Sequence, residues 1–586
     1  MNTLNWCLSV PGFRNRHSIW KSLLGVLLLS GCTGVIGDAN RNGTADGPGG
    51  TVGPGGTVGP DGTVGPGGEG TQPLVIGTSI VHRLTRAEYA NTVRDLLGAT
   101  VDPNTLPEDG GDHGFTKDSA SQITGVNTIT AYEEAAGDIV DSVFASAALK
   151  AKLVKCDLTT GAACIKSTLE AFLPNAWRRA VQAAEVDRLM TLSATEAAAG
   201  GSADEQLKLA IRAALTSSKF LYLLEKDVNP ADTTPKPLAD YELASRLSYF
   251  IWSSMPDAEL LSLASQGKLQ SDATLAQQVT RMLQDPKGAA MSSSFATEWL
   301  QLAAVVPAQP DSTMFPMVTD ALKQSMVQQT TTFFQYMLST GAPMSDLVAS
   351  DYTFVDAGLA KLYGLPVPTG AGFNKVSLAG TTRIGGVLGQ ASFLMQYASQ
   401  VRPSAVKRGA WVLNNLLCAP APPPPAAVLT ANAANEMDPA FVAKVAMETA
   451  REHLAEHRAN PACGACHDRI DPLGLGLENF DAVGQYRAAD TIAGNKPIDA
   501  SGQLVTNDPT TRFSDARGMT QVLAKDNRVA SCVGQLLLTF ALTRAPEDGE
   551  VAYTASRLSG NSDTLAKAIT EVATGAPFRQ RVSAGL

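Results

Sequence analysis

Cys463-Gly464-Ala465-Cys466-His467 sets two thiols three residues apart and puts an imidazole directly after the second. Thiols at that spacing can add to the two vinyl groups of one haem, and the adjoining histidine then reaches the iron as proximal ligand. Cys463, Cys466 and His467 are therefore the candidate attachment set for one haem c. Two other chemistries use the same residue types: a redox-active thiol pair, and a zinc site, which needs two further ligands nearby. Asp471-Pro472, just downstream, is expected to set a backbone carbonyl against His467 and fix its tautomer.

The second axial ligand has five candidates: His457, Met519, Met447, Met437 and Met395. The ten residues from His457 to His467 can extend up to ~33 Å, enough to wrap a haem. Met519 lies downstream, where small cytochromes c place a methionine. A methionine raises the potential, a second histidine lowers it, and an open position admits substrate. His453-Leu454-Ala455-Glu456-His457 also fits an inverted zinc-protease pattern, with His453 and His457 on one helix face and Glu456 as base. So short a motif reads better as a charged helix face leading into the haem loop.

Covalent haem attachment calls for export, and the N-terminus has that form. Arg14, Arg16 and Lys21 precede an apolar run from Leu23 to Leu29 that is too short to span a bilayer. The run ends in Leu29-Ser30-Gly31-Cys32, a lipobox pattern that makes Cys32 the lipidated first residue of the mature chain. Thr33 follows, where aspartate would favour retention at the inner membrane, so the outer membrane is the expected site. The full chain has a net charge of −10, and loss of residues 1–31 removes three basic and no acidic residues, leaving −13. An acidic mature chain argues against nucleic acid as a partner. The expected partners are a membrane, through the lipid, and an unidentified redox protein.

Cysteine use fits an oxidising compartment. Once Cys7, Cys32, Cys463 and Cys466 are assigned, Cys156, Cys164, Cys418 and Cys532 remain. Cys156 and Cys164 bracket a short polar loop that can close on itself. Cys418 and Cys532 pair by remainder, the alternative being buried free thiols.

These residues must be positioned by a mainly α-helical, multi-domain body followed by a small helical cytochrome-like module. Residues 1–31 are the signal segment. Residues 32–74 are a Gly/Pro-rich tether, in which Gly-Pro-Gly-Gly-Thr-Val steps by six and cannot form a core. The body divides into 75–145, 146–228, 229–370 and a segment 371–430, and 431–586 is the haem-binding module. Thr85 with Glu88 and Ser202 with Glu205 are capping boxes, Leu84 staples onto Tyr89, and Gly98 is a stop. Leu243, Leu247, Phe250 and Ile251 mark a further helix. Pro420 and Pro422 to Pro425 form a stiff strap, and a last helix runs near Ala530 to Thr543.

Several stretches together resemble the planctomycete and myxobacterial secreted cytochrome-like family, built from a string of domains of unknown function. They are Arg83 to Tyr89, Leu243 to Trp252, Ser350 to Val355, Pro403 to Gly409 with the proline run, and Cys463 to Arg487. The resemblance covers nearly all of the chain after the tether and implies an exported, haem-associated protein. Many such proteins carry an additional N-terminal cytochrome module, whereas here a lipobox and tether stand in its place. The resulting expectation is an electron-transfer lipoprotein. The alternatives are a haem-dependent oxidase or peroxidase acting outside the cell, and a surface binding protein with structural haem.

Overall fold

A computed structural model describes residues 73–583, apart from 112–113, 226–228, 230, 423–443, 445–446 and 506–510. The signal segment, Cys32, nearly all of the tether, Pro423 to Pro425 and Met437 lie outside the described residues. The chain is mainly helical, and among the described residues the strands pair as short two-stranded ribbons.

Local sequence sets the helix ends. Thr85 caps Arg86–Leu97, with its side chain taking the Glu88 backbone N–H while the Glu88 carboxylate takes the Thr85 N–H. Leu84 and Tyr89 are both fully buried, as a staple requires. Gly98 ends the helix at φ 73°, a left-handed geometry open to glycine at no steric cost. Ser202 and Glu205 cap Ala203–Thr216 in the same way. The expected central and terminal helices are Asp240–Ile251 and Arg528–Leu542.

The apolar faces gather into two main cores. The first joins residues between Leu84 and Leu221, with Tyr249 inserted from the following segment. The second runs from Leu238 to Phe578 and takes in both the central helices and the C-terminal segment. Phe115 leaves the first region to stack on Phe295 and meet Phe540 edge-on. The C-terminus returns to the start of the second core, where Gln580–Arg581 pairs with Lys236–Pro237. The core continues across the proline run, since Leu416 before it and Leu473 after it belong to the same cluster.

Both expected disulfides are present. Cys156 bonds Cys164, closing its polar loop, and Cys418 bonds Cys532 across 114 residues, tying the start of the strap to Arg528–Leu542. No helix among the described residues is long and apolar enough to cross a membrane.

Candidate haem-attachment site

Cys463, Cys466 and His467 lie on one helix, Pro461–Leu475, where offsets of three and four residues share a face. Ala459 and Asn460 link it to the preceding helix, Ala450–Arg458. Pro461 opens the helix, where its missing N–H is no loss. Both thiols are free, with Cys463 buried and Cys466 half-buried. The Cys466 Sγ faces the Pro422 carbonyl at 3.5 Å, so the start of the proline strap lies over the attachment face.

The group that orients His467 differs from the expected one. It is the Asp471 carboxylate, not a backbone carbonyl, whose Oδ1 sits 2.9 Å from His467 Nδ1. A residue four positions along a helix reaches the same face, so the side chain arrives where the carbonyl cannot. Asp471 is fully buried, and its other oxygen faces Arg458 at 3.7 Å. With Nδ1 held by an acceptor, Nε2 is the nitrogen left for a metal. Two free thiols one turn apart and a histidine held through Nδ1 are the donor set a c-type haem uses. In residue type and spacing these donors fit the group.

The structure brings His457 to this site and leaves Met519 out of it. The His457 and His467 rings meet edge to face, with centroids 4.4 Å apart. Imidazoles in direct contact leave no space for a macrocycle between them, so ligation by His457 requires Ala450–Arg458 to shift. Burial and the neighbouring His467 and His453 push the His457 pKa down, favouring the neutral ring. Met519 is fully buried in the second core, its sulfur beside Gly476, where an added Cβ would lie 2.6 Å away. The helix runs roughly 12 Å from His467 to Leu475, so that sulfur lies at the far end. Met395 is also a core residue, and Met447 is exposed.

Backbone contact fixes the attachment helix. Ala405–Trp411 crosses it so closely that a Cβ at Gly474 would overlap the Ala405 carbonyl, and one at Gly409 the Ile470 carbonyl. Arg408, fully buried, donates to the carbonyls of Leu477 and Phe480 at 3.0 and 2.7 Å, and to those of Leu394 and Asp481 at 2.8 Å each. Two sequence segments some sixty residues apart thus form one unit, the first clamping the turn that follows the attachment helix. Burial pushes the Glu478 carboxyl up to about 7 against the pull of Arg487 and Arg408. Sequence reasoning missed the Asp471 carboxylate and the Gly409–Gly474 crossing. The i, i+4 spacing from His467 was the signal for the first.

The His453–His457 pattern is engaged otherwise. His453 Nδ1 lies 3.5 Å from Glu448, and Glu456 pairs with Lys444. Among the described residues, no group of three or more His, Cys, Asp or Glu side chains is arranged to hold a metal ion.

Four family models match in succession. PSD3, a protein of unknown function (DUF1587), matches residues 82–145, and PSD5 (DUF1595) matches 164–225. PSD4 (DUF1592) covers 238–365, and PSCyt3 (DUF1588) covers 384–490, which includes the Arg408 helix and the whole Cys-x-x-Cys-His motif. The helical fold and these matches define a multi-domain protein of the PSD/PSCyt type. No curated protein and no solved structure matches the chain.

Proposed function

We propose that this protein is an exported lipoprotein, anchored through Cys32, that carries one covalent haem c on Cys463, Cys466 and His467 and transfers electrons to a partner protein. The observation that carries this reading is the helical face holding two free thiols and a histidine oriented by buried Asp471. The family model over this segment has a cytochrome-type name, PSCyt3. Two disulfides suit an oxidising compartment, as the lipobox requires.

A haem bound here supplies a one-electron iron couple, and the chain sets its conditions. Asp471 holds the His467 proton at Nδ1 and raises the basicity of the ligating nitrogen. Pro422 and the buried setting of Cys463 limit water at the attachment face. Among the described candidates His457 is the one at this site, and it would serve as second ligand once Ala450–Arg458 shifts off His467.

The contact of His457 with His467 supports a second reading. If that contact persists in the mature protein, the position opposite His467 stays open, and peroxidase or oxidase chemistry replaces simple electron transfer.

The test is a pyridine haemochrome assay and visible spectrum on protein matured with a c-type attachment system. One haem per chain and a low-spin spectrum that turns high-spin in His457→Ala support electron transfer. A high-spin wild-type spectrum with peroxide turnover supports the second reading. Absence of haem ends both.

A further inference from the structure

A cavity of about 680 Å³ opens where the first core meets the second, and none of its lining residues lies within 384–490. Six cationic side chains line it against four carboxylates, a positive balance in a chain whose net charge is −10. Five of the six have a carboxylate partner. Lys117 pairs with Glu88, Arg179 and Lys219 share Glu185, Arg246 pairs with Glu225, and Arg544 with Glu550.

Arg178 is the exception. It is 3 % exposed, and among the described residues no carboxylate lies within ion-pair distance of its guanidinium. One terminal nitrogen donates to the Ala176 carbonyl at 3.2 Å and the Tyr249 hydroxyl at 3.4 Å. The other donates to the carbonyls of Lys219, Phe220 and Tyr222 at 3.1, 3.0 and 2.9 Å. These neutral acceptors satisfy hydrogen bonds without cancelling the charge, and a buried charge lacking a counter-ion is costly. The backbone at Arg178 is also left-handed, at φ 55°, a conformation that a long side chain adopts at a cost. Arg408 makes a similar set of carbonyl bonds, but it is enclosed by packed backbone. Arg178 borders an open cavity that also presents Trp177, Tyr222 and Tyr241.

We propose that this cavity binds a small organic anion whose carboxylate serves as the counter-charge of Arg178 and whose ring lies against the aromatic wall. The terminal N–H groups of Arg178 are already donated, so the attraction is between the charges themselves, strengthened where little water reaches, and aromatic faces supply the apolar contact for a ring. A sugar acid and an aromatic acid share this chemistry, and the experiment separates them. The site stands independently of haem.

Calorimetric titration of the full mature chain uses glucuronate and benzoate, with glucose and benzyl alcohol as neutral counterparts. The expected result is saturable binding of one acid, at least about tenfold tighter than its neutral counterpart. The acid that binds identifies the source. Arg178→Met should weaken that binding about tenfold or more. Ala180→Trp fills the mouth from an exposed position and should abolish binding without moving the melting temperature, so the test holds even if the arginine variant fails to fold. The proposal is overturned if neither acid binds at millimolar concentration, if a neutral counterpart binds as tightly, or if Ala180→Trp retains the affinity.

Discussion

Glu88 and Glu478 are both almost wholly buried glutamates, one beside the first core and one beside the attachment helix, and their carboxyl pKa values are pushed in opposite directions. Burial alone would raise Glu88, but Lys117 at 3.0 Å and His82 at 2.8 Å overcome it, with help from the Thr85 N–H at 3.0 Å. Its carboxyl stays far below the ordinary glutamate range. At Glu478 burial wins, and the carboxyl rises to about 7. Arg487 pairs with it, while Arg408 spends its donors on backbone carbonyls. At Glu88 buried charge is met with charge. At Glu478 the buried Arg408 clamps backbone instead, and the Arg487 pair alone does not outweigh burial.

That contrast breaks most visibly at Lys117. Lys117→Met leaves Glu88 buried without its cation and should cost about 3–5 kcal/mol in denaturant unfolding. A loss below about 1 kcal/mol would mean that His82 alone carries the charge. In the attachment region the corresponding weak point is backbone contact. Gly474→Ala drives a methyl into the Ala405 carbonyl and should cost about 1–3 kcal/mol, with a lower haem yield, read from thermal melts and haem stain.

The two glutamates also give opposite pH slopes. Glu478 has a raised folded pKa, so the folded state binds the extra proton, and its contribution is complete below the ordinary glutamate value. That contribution is lost as pH rises towards about 7, and is on the order of 2 kcal/mol. Glu478→Gln should flatten the fall in stability between about pH 4.5 and 7. Glu88 acts in the reverse sense, contributing above the ordinary value and losing its contribution as acid protonates it. Melting temperatures across pH for both single glutamine variants separate the slopes. The smallest effect is expected from Asp471→Asn. If the proposed haem is bound, the variant should keep it and raise its midpoint potential, because a neutral acceptor makes His467 a weaker donor to ferric iron.

Much of this was legible in the chain. Thr85 with Glu88, Ser202 with Glu205, and the Gly98 stop fix helix ends through contacts within four residues, which a sequence displays directly. The Cys156–Cys164 loop is likewise local. Tertiary crossings were not legible. Gly409 and Gly474 carry no pattern of their own, and only the meeting of their helices gives them a purpose. Met519 had the right residue type and chain position for an iron ligand, yet its helix turns it into the second core beside Gly476. The cavity around Arg178 draws on segments from Ser79 to Arg544, too dispersed for any motif.

The account turns on the Pro461–Leu475 helix bearing a covalent porphyrin. The most direct measurement is the mass of the tryptic peptide spanning 459–469, taken from protein matured with a c-type attachment system. The account predicts one haem added to that peptide, lost when Cys463 and Cys466 are both changed to serine. An unmodified peptide, or one carrying only a Cys463–Cys466 disulfide, would contradict it.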